Sequence, residues 1–98
     1  KWNMIPTDID ILITHGPAHG MLDWTPSGQR VGCEDLFHRI MEVKPKIHVC
    51  GHIHWAYGQK TFHGTEYLNA SVLNERYEYQ NKPIVIEYNP ETKEIDYL

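Results

Sequence analysis

With 98 residues, the chain is long enough for one small hydrophobic core and too short for two, so one domain or part of one is expected. Hydrophobic residues at 41% and charged residues at 22% sit near the averages of soluble globular proteins, which excludes the disordered and fibrous classes. A formal net charge of −4 excludes a binder of nucleic-acid backbones, which needs a basic face to displace counterions, yet it allows a small anionic substrate whose charge is met by bound metal ions.

The chain opens at Lys1 rather than at a methionine, so further sequence is expected upstream. Residues 9–14 (Ile-Asp-Ile-Leu-Ile-Thr) are almost continuously apolar and β-branched, which predicts a strand buried on both faces of a layered α/β domain. From Ala18 to Gly32, four glycine or proline interruptions break any period, and a long irregular loop is expected, of the length that is usually functional. A helix follows at 34–44. Leu36, Phe37, Ile40 and Met41 share one face, Glu34 and Asp35 complement the start of its dipole, Lys44 complements its end, and Pro45 stops it.

Ile47 to Cys50 reads as a short strand, and Trp55 to Phe62 as another with a bend at Gly58. His63-Gly64-Thr65 suits a hairpin turn. Strands at Glu66 to Leu68, Ile84 to Tyr88 and Glu94 to Tyr97 complete the chain, the last two joined at Asn89-Pro90. Only one good helix is available to cover the first strand, so a second covering layer is expected from upstream sequence. No apolar run reaches the roughly 20 residues of a membrane helix, and Cys33 and Cys50 form neither a Cys-x-x-Cys pair nor a disulfide framework. A cytoplasmic setting is the expectation that follows.

Seven histidines are the one compositional excess. In Gly51-His52-Ile53-His54, two imidazoles at i and i+2 point the same way if the backbone is extended, and the glycine before them lets the chain turn beside a ligand. His15 follows the first strand and His52 the next, with a helix between. If those strands are parallel, both residues reach the carboxyl edge of the sheet, where open α/β sheets bind ligands. His15, His52 and His54 are therefore the candidate metal ligands. His19 in the loop is open between substrate contact and solvent exposure. His38, His48 and His63 read as packing, surface or turn residues.

Thr14-His15-Gly16-Pro17 followed by Gly51-His52-Ile53-His54, with His52 37 positions after His15, resembles the last two metal-binding blocks of the calcineurin-like metallophosphoesterases. Val31-Gly32-Cys33-Glu34-Asp35-Leu36 and Asn69-Ala70-Ser71-Val72 carry the likeness further, toward the metallophosphodiesterase-domain group, over nearly the whole chain. The resemblance implies that residues 1–98 form the C-terminal half of a four-layer α/β/β/α sandwich, a mixed sheet with one main helix. It implies two divalent metal ions, Mn, Fe or Zn, with His15 and His52 on one ion and His54 on the other. It further implies hydrolysis of phosphodiesters such as cyclic nucleotides through a metal-bridging hydroxide. The family's Asp-x-His, Gly-Asp and Asn-His blocks do not occur here, so its catalytic histidine is expected in an N-terminal half outside these 98 residues, which alone are expected to be inactive.

The implied partner is a small phosphoester, with no nucleic-acid polymer and no membrane. Self-association through a face left uncovered is also expected. The alternative is a non-catalytic metal-binding or scaffold protein that keeps the phosphoesterase fold. An amidohydrolase, which also uses a His-x-His pair, is disfavoured because only 44 residues follow His54.

Overall fold

Helix α1 (Glu34–Val43) begins where Cys33 turns extended and its Sγ accepts the Leu36 N–H at 3.4 Å, satisfying one of the free donors of the first turn. Glu34 and Asp35 stand at the positive end of the helix dipole. The helix stops one residue earlier than expected, because Lys44 takes a left-handed conformation (φ 54°) and its N–H returns to the Ile40 carbonyl. Leu36, Ile40 and Val43 form its buried stripe. The computed structural model describes residues 1–98.

Four strands make the main sheet: β1 (Ile11–Ile13), β2 (Ile47–Cys50), β3 (Gly58–Phe62) and β4 (Thr65–Asn69), in the order β1-β2-β4-β3. β1 and β2 are parallel, as are β2 and β4, while β3 and β4 are antiparallel, so the sheet is mixed. The predicted strand at 55–62 is shorter than expected, because residues His54–Ala56 coil into a 3-10 turn. His63 and Gly64 link β3 to β4 with φ of 49° and 83°, the double left-handed turn that matches the twist of a hairpin. A separate antiparallel pair, β5 (Ile86–Tyr88) and β6 (Ile95–Tyr97), closes the chain. It is tied back by the Lys93–Asp10 ion pair at 2.8 Å and by the Tyr97 hydroxyl on the Glu66 carboxylate. No helix is long and apolar enough to cross a membrane.

The core lies between α1 and one face of the sheet, where Ala18, Met21, Leu36, Ile40 and Tyr67 are buried and Leu12, Phe37 and Phe62 pack against them. β1 departs from expectation. Only Leu12 meets that core, whereas Ile11 and Ile13, predicted to be covered, point to the opposite face and are 43% and 74% exposed. The cause is the shortage of layers: side chains alternate along a strand, and the single helix covers one face only. β1 also stands at the edge of the sheet.

The loop between β1 and α1 contains no named strand or helix, as its composition predicts, yet it is tightly tied. Asp23 is fully buried. Its Oδ2 accepts the N–H groups of Gly20 and Gly32, both at 2.9 Å, and its Oδ1 accepts from Arg30 at 3.1 Å. Burial alone would raise the Asp23 pKa, but the two backbone donors and the Arg30 guanidinium outweigh it and hold the carboxyl below its usual range. Gly32 passes so close to Ala18 that an added Cβ would lie 2.4 Å from the Ala18 carbonyl oxygen, so only glycine fits.

Candidate metal centre

The parallel pairing of β1 and β2 brings both of their carboxyl ends to one sheet edge. The ladder continues past the strands: Thr14 N–H donates to the Val49 carbonyl and Gly51 N–H to the His15 carbonyl, each at 3.0 Å. His15 and His52 therefore emerge side by side, with ring centroids 4.6 Å apart and planes tilted by 38°. Both are exposed at the surface. The geometric core of the sequence argument, two strand-end histidines meeting at one edge, holds for this pair.

The expected relation of His52 to His54 does not hold locally. The segment is not extended: His52 sits at φ 68°, Ile53 N–H returns to the Gly51 carbonyl at 2.7 Å, and His54 opens the 3-10 turn. An i, i+2 pair shares a side only on an extended backbone, and a left-handed residue between the glycine and Ile53 breaks that premise. A non-glycine residue held there is strained, and such strain persists only where neighbours enforce it.

Asn69 is the enforcing neighbour. At the end of β4 and fully buried, it donates from Nδ2 to the Ile53 carbonyl at 2.9 Å and to the Leu22 carbonyl at 3.2 Å. Its Oδ1 accepts from the Ser71 N–H and hydroxyl at 3.1 and 2.7 Å. Two donors and two acceptor positions are all used, so one side chain pins the residue between His52 and His54 and also the loop after β1. Sequence reasoning missed this role; Asn69 drew notice only through the family likeness of its segment.

His54 is half-buried, and its Nδ1 lies 2.8 Å from the Asn74 carbonyl oxygen. A carbonyl only accepts, so in the neutral imidazole Nδ1 carries the proton and Nε2 keeps its lone pair. That is the arrangement in which protein carbonyls orient metal-binding histidines. The donor chemistry therefore fits a divalent ion: His54 offers an oriented Nε2, and His15 and His52 offer two adjacent rings. No group of three or more His, Cys, Asp or Glu side chains is gathered closely enough to hold a metal ion, and His54 stands apart from the His15–His52 pair.

The other histidines lie elsewhere. His48 is buried in β2, its Nε2 2.9 Å from the Thr14 hydroxyl and its ring edge-on to Tyr67, and burial depresses its pKa from 6.5 to about 4. Cys50 beside it is buried and free, its thiol pushed up to about 12 by burial and by the nearby Asp23 charge. His38 is exposed on α1 beside Phe37, and His63 occupies the β3–β4 turn against Phe62. His19 is half-buried in the loop, where its backbone N–H donates to the Cys33 carbonyl.

No protein-family model matches the chain. It is 52% identical over 89 residues to metallophosphoesterase domain-containing protein 1 of Homo sapiens, and to the same degree to its namesake in Mus musculus, with 89% of this chain and 27% of each relative covered. It is 41% identical over 97 residues to a UPF0046 protein of Caenorhabditis elegans, covering 96% of this chain and 24% of that protein. The chain spans about a quarter of the length of these curated relatives.

Proposed function

From its relationship to the metallophosphoesterase-domain proteins, we propose that this chain contributes three metal-binding histidines, His15, His52 and His54, to a two-metal phosphoesterase that hydrolyses phosphodiesters such as cyclic nucleotides. The observation that carries the reading is the paired emergence of His15 and His52 from parallel strand ends, with His54, two residues further on, offering an Nε2 freed by the Asn74 carbonyl.

Bound divalent ions would neutralise phosphate charge and lower the pKa of a coordinated water. The residues of this chain do the positioning. Asn74 fixes the tautomer and orientation of His54. Asn69 holds the turn that sets His52 beside His15. The balanced reaction adds water to phosphorus and breaks one ester P–O bond. The proton goes to the leaving oxygen; an acyclic diester gives an alcohol and a phosphomonoester, and a cyclic nucleotide opens to one monophosphate that carries both groups. Three neutral imidazoles supply no bridging anion, so in this reading the 98 residues do not turn over substrate by themselves. Residues from the longer protein supply the carboxylates and a second sheet over Ile11 and Ile13, completing a four-layer sandwich.

The test is hydrolysis of cyclic nucleotides and of bis(4-nitrophenyl) phosphate by the full-length protein with Mn²⁺, beside its His52→Ala variant. We expect the substitution to lower kcat/KM by about 100-fold or more, as the loss of a metal ligand should. Wild-type activity no greater than that of the variant would remove the proposal.

A further inference from the structure

We propose that Tyr77 is a specificity-determining residue of this site, forming an aromatic wall that stacks on a flat ring carried by the group esterified to the phosphate, whether a nucleobase on its ribose or an aryl ring. The inference rests on the phosphoester reading above and adds to it the class of the organic group.

Tyr77 is held at φ 62°, a conformation that bulky side chains rarely adopt, and its side chain is nonetheless 76% exposed. Its backbone is locked from one residue. The Asn74 carbonyl accepts the Tyr77 N–H at 2.9 Å, Asn74 N–H donates to the Glu78 carbonyl at 2.9 Å, and Asn74 Oδ1 accepts the N–H groups of Arg76 and Glu78. The same Asn74 carbonyl holds His54 Nδ1. One oxygen thus fixes both the candidate metal ligand and the tyrosine, and the two rings meet edge to face with centroids 5.4 Å apart.

Beside them opens a cavity of about 340 Å³ lined by His52, Ile53, His54, Trp55, Glu75 and Tyr77. The imidazoles in the lining are the groups near which a metal-held phosphate would lie, Trp55 and Tyr77 supply exposed aromatic surface, and the Glu75 carboxylate disfavours a second anionic group. The Asn74 hydrogen bonds hold the strained backbone and present the exposed ring at the cavity. A stacked base or aryl ring is the chemistry that such a surface selects, with a typical gain of tenfold or more.

The test measures binding of methyl phosphate, phenyl phosphate and a nucleoside monophosphate to the metal-loaded full-length protein by calorimetry, in the wild type, Tyr77→Ala and Tyr77→Phe. We expect the wild type to bind at least one aromatic ester about tenfold or more tightly than methyl phosphate. Tyr77→Ala should abolish that preference while leaving methyl phosphate affinity within about twofold, and Tyr77→Phe should retain it. The phenyl and nucleoside arms separate a bare ring from a base. The proposal is overturned if Tyr77→Ala keeps the preference, if it weakens all three esters equally, or if none of the three binds. Diester turnover measured in parallel judges the hydrolase reading separately, because absent turnover with a Tyr77-dependent binding preference removes the enzyme and leaves the aromatic wall.

Discussion

Asn69 has more consequences than any other single residue around the site. Replacing it with Leu would leave the Ile53 and Leu22 carbonyls and the Ser71 donors without their partner in a buried setting. Each unsatisfied group costs about 1–3 kcal/mol. We expect Asn69→Leu to destabilise the protein by roughly 3 kcal/mol or more in urea unfolding and to weaken metal binding, since the His52 turn loses its anchor. His48 gives a pH dependence. Its pKa falls from 6.5 in the unfolded chain to about 4 in the fold, so below 6.5 the unfolded state binds more protons. Stability should therefore be complete above pH 6.5 and decline as pH falls toward 4, by on the order of 3 kcal/mol. Unfolding measured between pH 7 and pH 4 in the wild type and in His48→Phe checks this, and the variant should show the smaller decline. At this scale the meeting of His15 and His52 could be read from sequence because strand ends announce themselves, whereas the separate place of His54 could not. The turn at His52 was equally hidden, because the Asn69 amide that anchors it at the Ile53 carbonyl lies 17 positions from His52 and its partners only the fold reveals.

At the scale of elements, the irregular loop after β1 behaves as a built unit. Asp23 draws Gly20, Gly32 and Arg30 together, and the loop ends where Gly32 crosses the Ala18 backbone. Gly32→Ala forces a Cβ to within 2.4 Å of a carbonyl oxygen, a clash with backbone rather than with a movable side chain. The expected cost is about 1–3 kcal/mol, read from the denaturation midpoint. A midpoint unchanged from wild type would show that the crossing can relax freely. Composition disclosed that this stretch would be irregular; the carboxylate that organises it was hidden, because one aspartate in a loop carries no periodic signal. Helix α1 was legible nearly to its last residue, from its apolar spacing and the acidic first turn. Its end slipped by one because Lys44 adopts the left-handed cap that glycine more often fills.

On the scale of the whole molecule, the sheet is covered on one side by α1 and the loop, while Ile11 and Ile13 face outward on an edge strand. The hydrophobic run of β1 predicted a strand covered on both faces, whereas only the Leu12 side is covered. Exposed apolar edge strands recruit partners. The 98-residue chain should accordingly self-associate in sedimentation velocity as its concentration rises, and Ile13→Lys should return it to a monomer. A wild-type chain that stays monomeric throughout would mean that the face is tolerated in water.

The central claim, that His15, His52 and His54 are metal ligands, is met most directly by the metal content of the purified full-length protein and of its three single alanine variants, measured by inductively coupled plasma mass spectrometry after equilibration with Mn²⁺. Close to two equivalents are expected in the wild type and a loss of about one equivalent in each variant, with thermal unfolding confirming that the variants remain folded. Three folded variants that all retain the wild-type metal content would contradict it.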